Sequence, residues 1–175
     1  AVYYKVAGAS EPASYDWTFS SSTGSAGGIQ TFSGVDTTDP IDVEDGGNTP
    51  NGRDHATPSV VTTVDNAMLV TSHTFSSATT WTPPTGMTEG FDVLGGLQAT
   101  EGNYVLQATA GATGAKTATA AADADVGNAH ILALRPAAAS GDGLFQYRKS
   151  ITVPAANLGG SCSADLDDFP VLISI

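Results

Sequence analysis

Tyr15-Asp16-Trp17-Thr18-Phe19 and Leu69-Val70-Thr71-Ser72-His73-Thr74-Phe75 decide how this chain is read. In the first, the aromatic residues occupy alternate positions, so a strand would carry all three rings on one face. The second follows the same rule more weakly. Working outward, Asn103 to Thr109 sets Tyr104 and Leu106 on one side. Ala129 to Arg135 separates Ile131 and Ala133 from Leu132 and Leu134, and Phe145 to Val153 alternates over its whole length. Shorter strand candidates are Val2–Val6, Ile29–Val35, Ser59–Val64, Thr79–Thr82, Gly86–Leu94, Lys116–Ala122 and Pro170–Ile175. The Ala-rich run from Thr117 to Ala124 is compatible with a helix, but alternating Thr117 and Thr119 and the adjoining glycines assign it to a strand.

Between these segments, Thr23 to Gly28, Gly46-Gly47-Asn48, Asn51-Gly52, Pro83-Pro84, Gly95-Gly96 and Gly111 to Gly114 read as turns or loops. Many short strands at spacings of about 8–15 residues predict an all-β fold, an antiparallel jelly-roll-like sandwich. The chain divides into a sandwich domain over 1–136, a small-residue linker over 137–143 and a C-terminal strand extension over 144–175. About 32 residues are too few to fold alone without a disulfide or metal. The apolar faces of that extension must bury against something else.

Composition narrows the function. Six Lys and Arg stand against 18 Asp and Glu, for a net charge of −12. No cationic footprint exists to displace counterions from a phosphate backbone or to dock on an anionic membrane, so no nucleic-acid partner is expected. No run of about 18 apolar residues is present, so no membrane insertion is expected. Cys162 is the only cysteine, which excludes an intrachain disulfide. Ala, Gly, Ser and Thr make up roughly half of the 175 residues, and only 14% are charged. Against the ~25% of an ordinary soluble domain, that composition points to the extracellular side or the cell surface.

Residues 1–136 also carry a resemblance. Tyr3-Tyr4-Lys5-Val6-Ala7, Glu11-Pro12, Tyr15 to Phe19, Ser33-Gly34-Val35-Asp36, Pro40-Ile41-Asp42-Val43 and the closing Ala133-Leu134-Arg135-Pro136 resemble a β-rich domain of large bacterial surface and phage-tail-like proteins. Tyr147 to Ile151 and Asp165 to Ile173 are similar to the opening of a second surface-protein family, domain of unknown function 2341, whose members sit beside lectin-like modules. The first resemblance implies further strands before residue 1. A sandwich lacking them would expose a groove, and the extension would fill the groove of the next molecule. Tail packing onto its own body, or ends set merely by truncation or proteolysis, are the alternatives.

Several residues are candidates for chemistry. Asp36, Asp39, Asp42, Glu44 and Asp45 form the densest acidic stretch and the candidate calcium site, although the order of a twelve-residue calcium loop is absent. Asp165, Asp167 and Asp168 are a second, weaker cluster. His55, His73 and His130 lie far apart and form no zinc-type pair; each reads as a strand-surface or satisfied polar residue. Trp17 shares a face with Tyr15 and Phe19 and is expected in the core. Trp81, at a strand end before Pro83-Pro84, is the candidate exposed platform for surface glycans. Gly160-Ser161-Cys162-Ser163 does not form a nucleophile elbow, no carboxylate pair is singled out, and no enzyme is expected.

The reading that follows is an extracellular structural protein, a subunit of a surface filament or fibre assembled by strand pairing or exchange between copies. Phe145, Tyr147, Ile151, Val153, Val171 and Ile173 are the expected intersubunit strand contacts. The partner is the chain itself, as a homopolymer, and no cofactor beyond the calcium candidate is expected. The alternative is a carbohydrate-binding or adhesin module of a larger cell-surface or phage-tail protein.

Overall fold

The central strand shows why the chain folds as it does. Along Ala67–Phe75 every second residue is buried: Ala67, Leu69, Thr71, His73 and Phe75. The intervening residues are half-covered, which is the signature of a strand with a different environment on each face. In the computed structural model, which describes residues 1–18 and 24–138, this strand is the middle of a larger sheet.

No helix occurs among the described residues. The strands are β1 Ile41–Gly52, β2 Asp54–Ala56, β3 Ala67–Phe75, β4 Trp81–Thr82, β5 Thr88–Gly95, β6 Gln98–Gln107, β7 Thr117–Ala120 and β8 Asp125–Leu134. They make a five-stranded sheet in the order β1-β8-β3-β6-β5 and a three-stranded sheet in the order β2-β7-β4. Every pairing is antiparallel, neither sheet closes on itself, and the arrangement is sandwich-like. The β5–β6 turn is a two-residue loop with Gly96 at φ 64°, a left-handed value that glycine takes without strain.

The interior has an apolar cluster at each end, with buried Ile131 and Ala129 of β8 between them. At one end Phe75 and Ala99 of the large sheet meet Trp81, Ala118 and Ala120 of the small one. At the other, Ala67, Leu69 and Ala133 pack with Val43, Val64 and Val105. Between them run two polar rows: His73 opposite Glu101, and Thr71 opposite Asn103, all fully buried or nearly so.

Several expected elements are corrected. Gly46-Gly47-Asn48 and Asn51-Gly52 are not turns; they lie inside β1. Gly46 pairs with His130, and a Cβ there would come within 2.5 Å of the His130 ring. The glycine makes room for an imidazole that crosses over it to Glu44, so it marks close approach and not a bend. Val2–Val6, Tyr15–Thr18 and Ser59–Val64 form no strand, and Ile29–Val35 contributes only the isolated bridge from Val35 to Pro136. Residues 24–36 instead cross the large sheet as a strap. Gly28 and Gly102 hold the Phe91 ring between them, Phe32 meets Tyr104 edge-on, and Val35 is fastened to Pro136.

Candidate functional site

Residues 3–17 build a surface loop around one carboxylate. Glu11 accepts hydrogen bonds from the Gly8 amide, the Lys5 ammonium and the Tyr15 hydroxyl. The Lys5 ammonium also lies over the Tyr15 ring, 5.3 Å from its centre. These donors favour the charged carboxylate: the Lys5 hydrogen bond first, then Tyr15 and Gly8, hold Glu11 at about 2. In return, the Glu11 hydrogen bond raises both Lys5 and Tyr15. The loop closes where Tyr3 meets Trp17 at 5.4 Å between ring centres.

The rings of this loop face water. Tyr3 is 71% exposed, Tyr4 67% and Trp17 58%, with Val2, Val6 and Tyr15 also exposed. Trp17 is therefore not a core residue, contrary to the alternation that placed it there. Among the described residues no strand pairs with Tyr15–Thr18 to cover the shared face. Tyr3 and Trp17 adjoin each other in the open, whereas single exposed apolar residues need no explanation. The large sheet ends in the edge strands β1 and β5. The β1 edge is blunted by Glu44, Asp45 and Pro50, the devices that discourage edge-to-edge pairing.

Trp81 lies elsewhere. It is 6% exposed, packed edge-to-face on Phe75 at 4.6 Å and on His55 at 5.2 Å. Its backbone amide donates to Asp92 Oδ2 at 2.8 Å. The glycan-platform reading of Trp81 is corrected on this ground: β4 is an edge strand of the small sheet, but the ring fills the core.

Of the five acidic candidates, Asp39 and Asp42 share Arg135, while Glu44 and Asp45 turn to other partners. Asp36 accepts from the Thr38 and Asp39 amides, which hold its carboxyl below the usual range. Burial pushes the Asp42 carboxyl up, but hydrogen bonds from Thr63 and the Arg135 charge outweigh it, so it too sits low. Glu44 pairs with His130 at 2.7 Å, and Asp45 accepts from Gly46. Asp39 lies 3.5 Å from Arg135. An extended strand sends neighbouring side chains to opposite faces, so Glu44 and Asp45 cannot converge as they would in a loop. Among the described residues no three such groups are placed to hold a metal ion.

Of the histidines, His55 is buried and bonded to Thr49 and to the Gly52 carbonyl, while His130 reaches Glu44. His73 bonds the Lys116 carbonyl through Nε2 at 3.2 Å, yet its Nδ1 has no hydrogen-bond partner among the described residues. Glu101 and Asn103 were not singled out by sequence. Only the strand register, which brings them opposite His73 and Thr71, reveals them. Phe145, Tyr147, Ile151, Val153, Val171 and Ile173 lie outside the described residues, as do Phe19, Cys162 and the Asp165–Asp168 cluster.

No family model, no curated protein and no solved structure matches this chain.

Proposed function

We propose that the chain is an extracellular structural subunit that assembles with its own copies, through the aromatic loop at residues 3–17 and strand contacts between sandwiches. The observation that carries this reading is the organised loop itself. Glu11 fixes its shape while Tyr3, Tyr4 and Trp17 stay in water. Burying five or six such side chains is worth on the order of 10 kcal/mol, the same scale as the ~4–15 kcal/mol cost of association. A second copy suits the surface because aliphatic Val2 and Val6 accompany the rings. Strands contributed between copies would extend the open sheets toward the jelly-roll arrangement, and the apolar faces at Phe145–Val153 and Val171–Ile173 are the segments proposed to supply them. The composition and the resemblance to surface-protein domains support the extracellular setting.

Sedimentation velocity and negative-stain electron microscopy test the proposal. The full chain is expected to form open-ended polymers as its concentration rises. A variant with Tyr3→Ser, Tyr4→Ser and Trp17→Ser is expected to remain folded and monomeric. A wild-type chain that stays monomeric across that range, or a triple variant that polymerises equally, overturns it.

A further inference from the structure

His73, Glu101 and Asp92 are register partners on β3, β6 and β5, so they stand abreast in one row on the inner face of the large sheet. Glu101, His73 and Asn103 are all 0% exposed. Among the described residues neither Glu101 oxygen, nor the Asn103 amide, nor Asp92 Oδ1 completes a hydrogen bond, although the Asn103 side chain lies near enough to Glu101 to favour its charged form in part. A buried carboxylate in that state is costly, whereas the neutral acid is tolerated.

The groups around Glu101 give its charge no counterpart. From β3 comes His73, from β5 Asp92 and Glu89, and on β6 itself Asn103. The small sheet and its approach set His55, Trp81 and the Lys116 carbonyl against the belt. None of the ion pairs among the described residues includes Glu101. His73 is a poor cation here, because a proton on Nδ1 would be buried without an acceptor.

We propose that this row is a pH-responsive clasp: protonated Glu101 beside neutral His73 holds the two sheets together, and ionisation of Glu101 loosens the small sheet from the large one. Burial, opposed by the Asn103 amide and reinforced by Glu89 and Asp92, pushes the Glu101 carboxyl up to about 7. Burial likewise pushes the His73 imidazole down to about 4, with His55 adding to the shift and the Lys116 carbonyl resisting it. The Glu101 contribution to stability is full below its unfolded value of 4.5 and is lost as pH rises through about 7. The His73 contribution is full above 6.5 and is lost as pH falls through about 4. The two slopes oppose each other, so their sum is most favourable at about pH 5.5 and shallow around it. Folding thus moves a proton from the histidine to the acid.

Denaturant unfolding of the full chain and of Glu101→Gln at several pH values separates the terms. The ratio of wild-type to variant unfolding constants is expected to rise about tenfold or more between pH 5 and pH 8. A ratio that stays flat overturns the proposal. If Glu101→Gln does not fold, a carboxyl-carbon NMR titration of Glu101 in the wild-type chain takes its place. A midpoint near 7 supports the clasp and one below 5 overturns it. The loosening has its own readout in a Trp17→Phe background, where Trp81 alone reports. Its emission is expected to shift to longer wavelength with the Glu101 midpoint. Emission unchanged from pH 5 to 8 overturns the mechanical half of the claim.

Discussion

The aromatic loop at residues 3–17 and the polar belt at His73, Asp92, Glu101 and Asn103 are inversions of one another. The loop holds large rings in water, and the belt holds acids and an imidazole in the interior. Each is stabilised by something other than simple burial. The loop is fixed by a carboxylate that has its full complement of donors, so its own shape is settled and only its outer surface lacks a partner. The belt has the reverse arrangement: its packing is complete and its hydrogen bonding is not. Under the two proposals, another molecule would meet the first condition and a proton the second.

Substitutions can break this contrast. Phe75 anchors an apolar end of the core, where packing is complete and the groups are neutral. Phe75→Ala is expected to cost about 3–5 kcal/mol in urea unfolding, at every pH between 5 and 8. If that cost tracks pH, the separation between belt and apolar end fails. Gly102→Val should cost about 1–3 kcal/mol, because a Cβ would fall 2.4 Å from the Phe91 ring that the strap covers. Limited proteolysis should then cut first within residues 24–36. An uncut strap would show that Phe91 does not hold it.

The loop should behave differently. Trp17→Ala is expected to alter unfolding free energy by less than about 0.5 kcal/mol while reducing polymer formation. A large stability loss would place Trp17 in the core after all. The smallest change is expected for Glu11→Gln, with unfolding unaffected. Tyr15 ionisation, followed by ultraviolet absorbance, should return toward its ordinary range once the Glu11 bond that raises it is gone. In the wild type the Glu11 contacts persist above pH 4.5 and are lost as pH falls through about 2. NMR of the Gly8 amide should report that loss.

The sequence made much of the sheet legible and little of the site. Leu69 to Phe75 alternates, and it does so because β8 and β6 flank it on both sides. Tyr15 to Thr18 alternates equally well but has no neighbouring strand, since period two describes a face and not the partner that covers it. The glycines at 46 and 47 resembled a turn because nothing local announces an imidazole arriving from residue 130, more than eighty positions away. Trp81 looked exposed from its prolines and proved to be the centre of a core cluster. Glu101 carries no motif, and its meaning comes from the register that sets it opposite His73 and Asp92.

The bridge between Val35 and Pro136 determines how the body responds to tension. The β1–β8 ladder begins beside it at Ile41 and Leu134. Pulling the flanking chain apart therefore loads one rung at a time: Ala137 to Gly34, Asp36 to Arg135, Arg135 to Pro40, and onward along β1. Tension applied at Gly34 and Ala137 would open this end like a zipper, yielding gradually under small forces where a sheared sheet would resist and then snap.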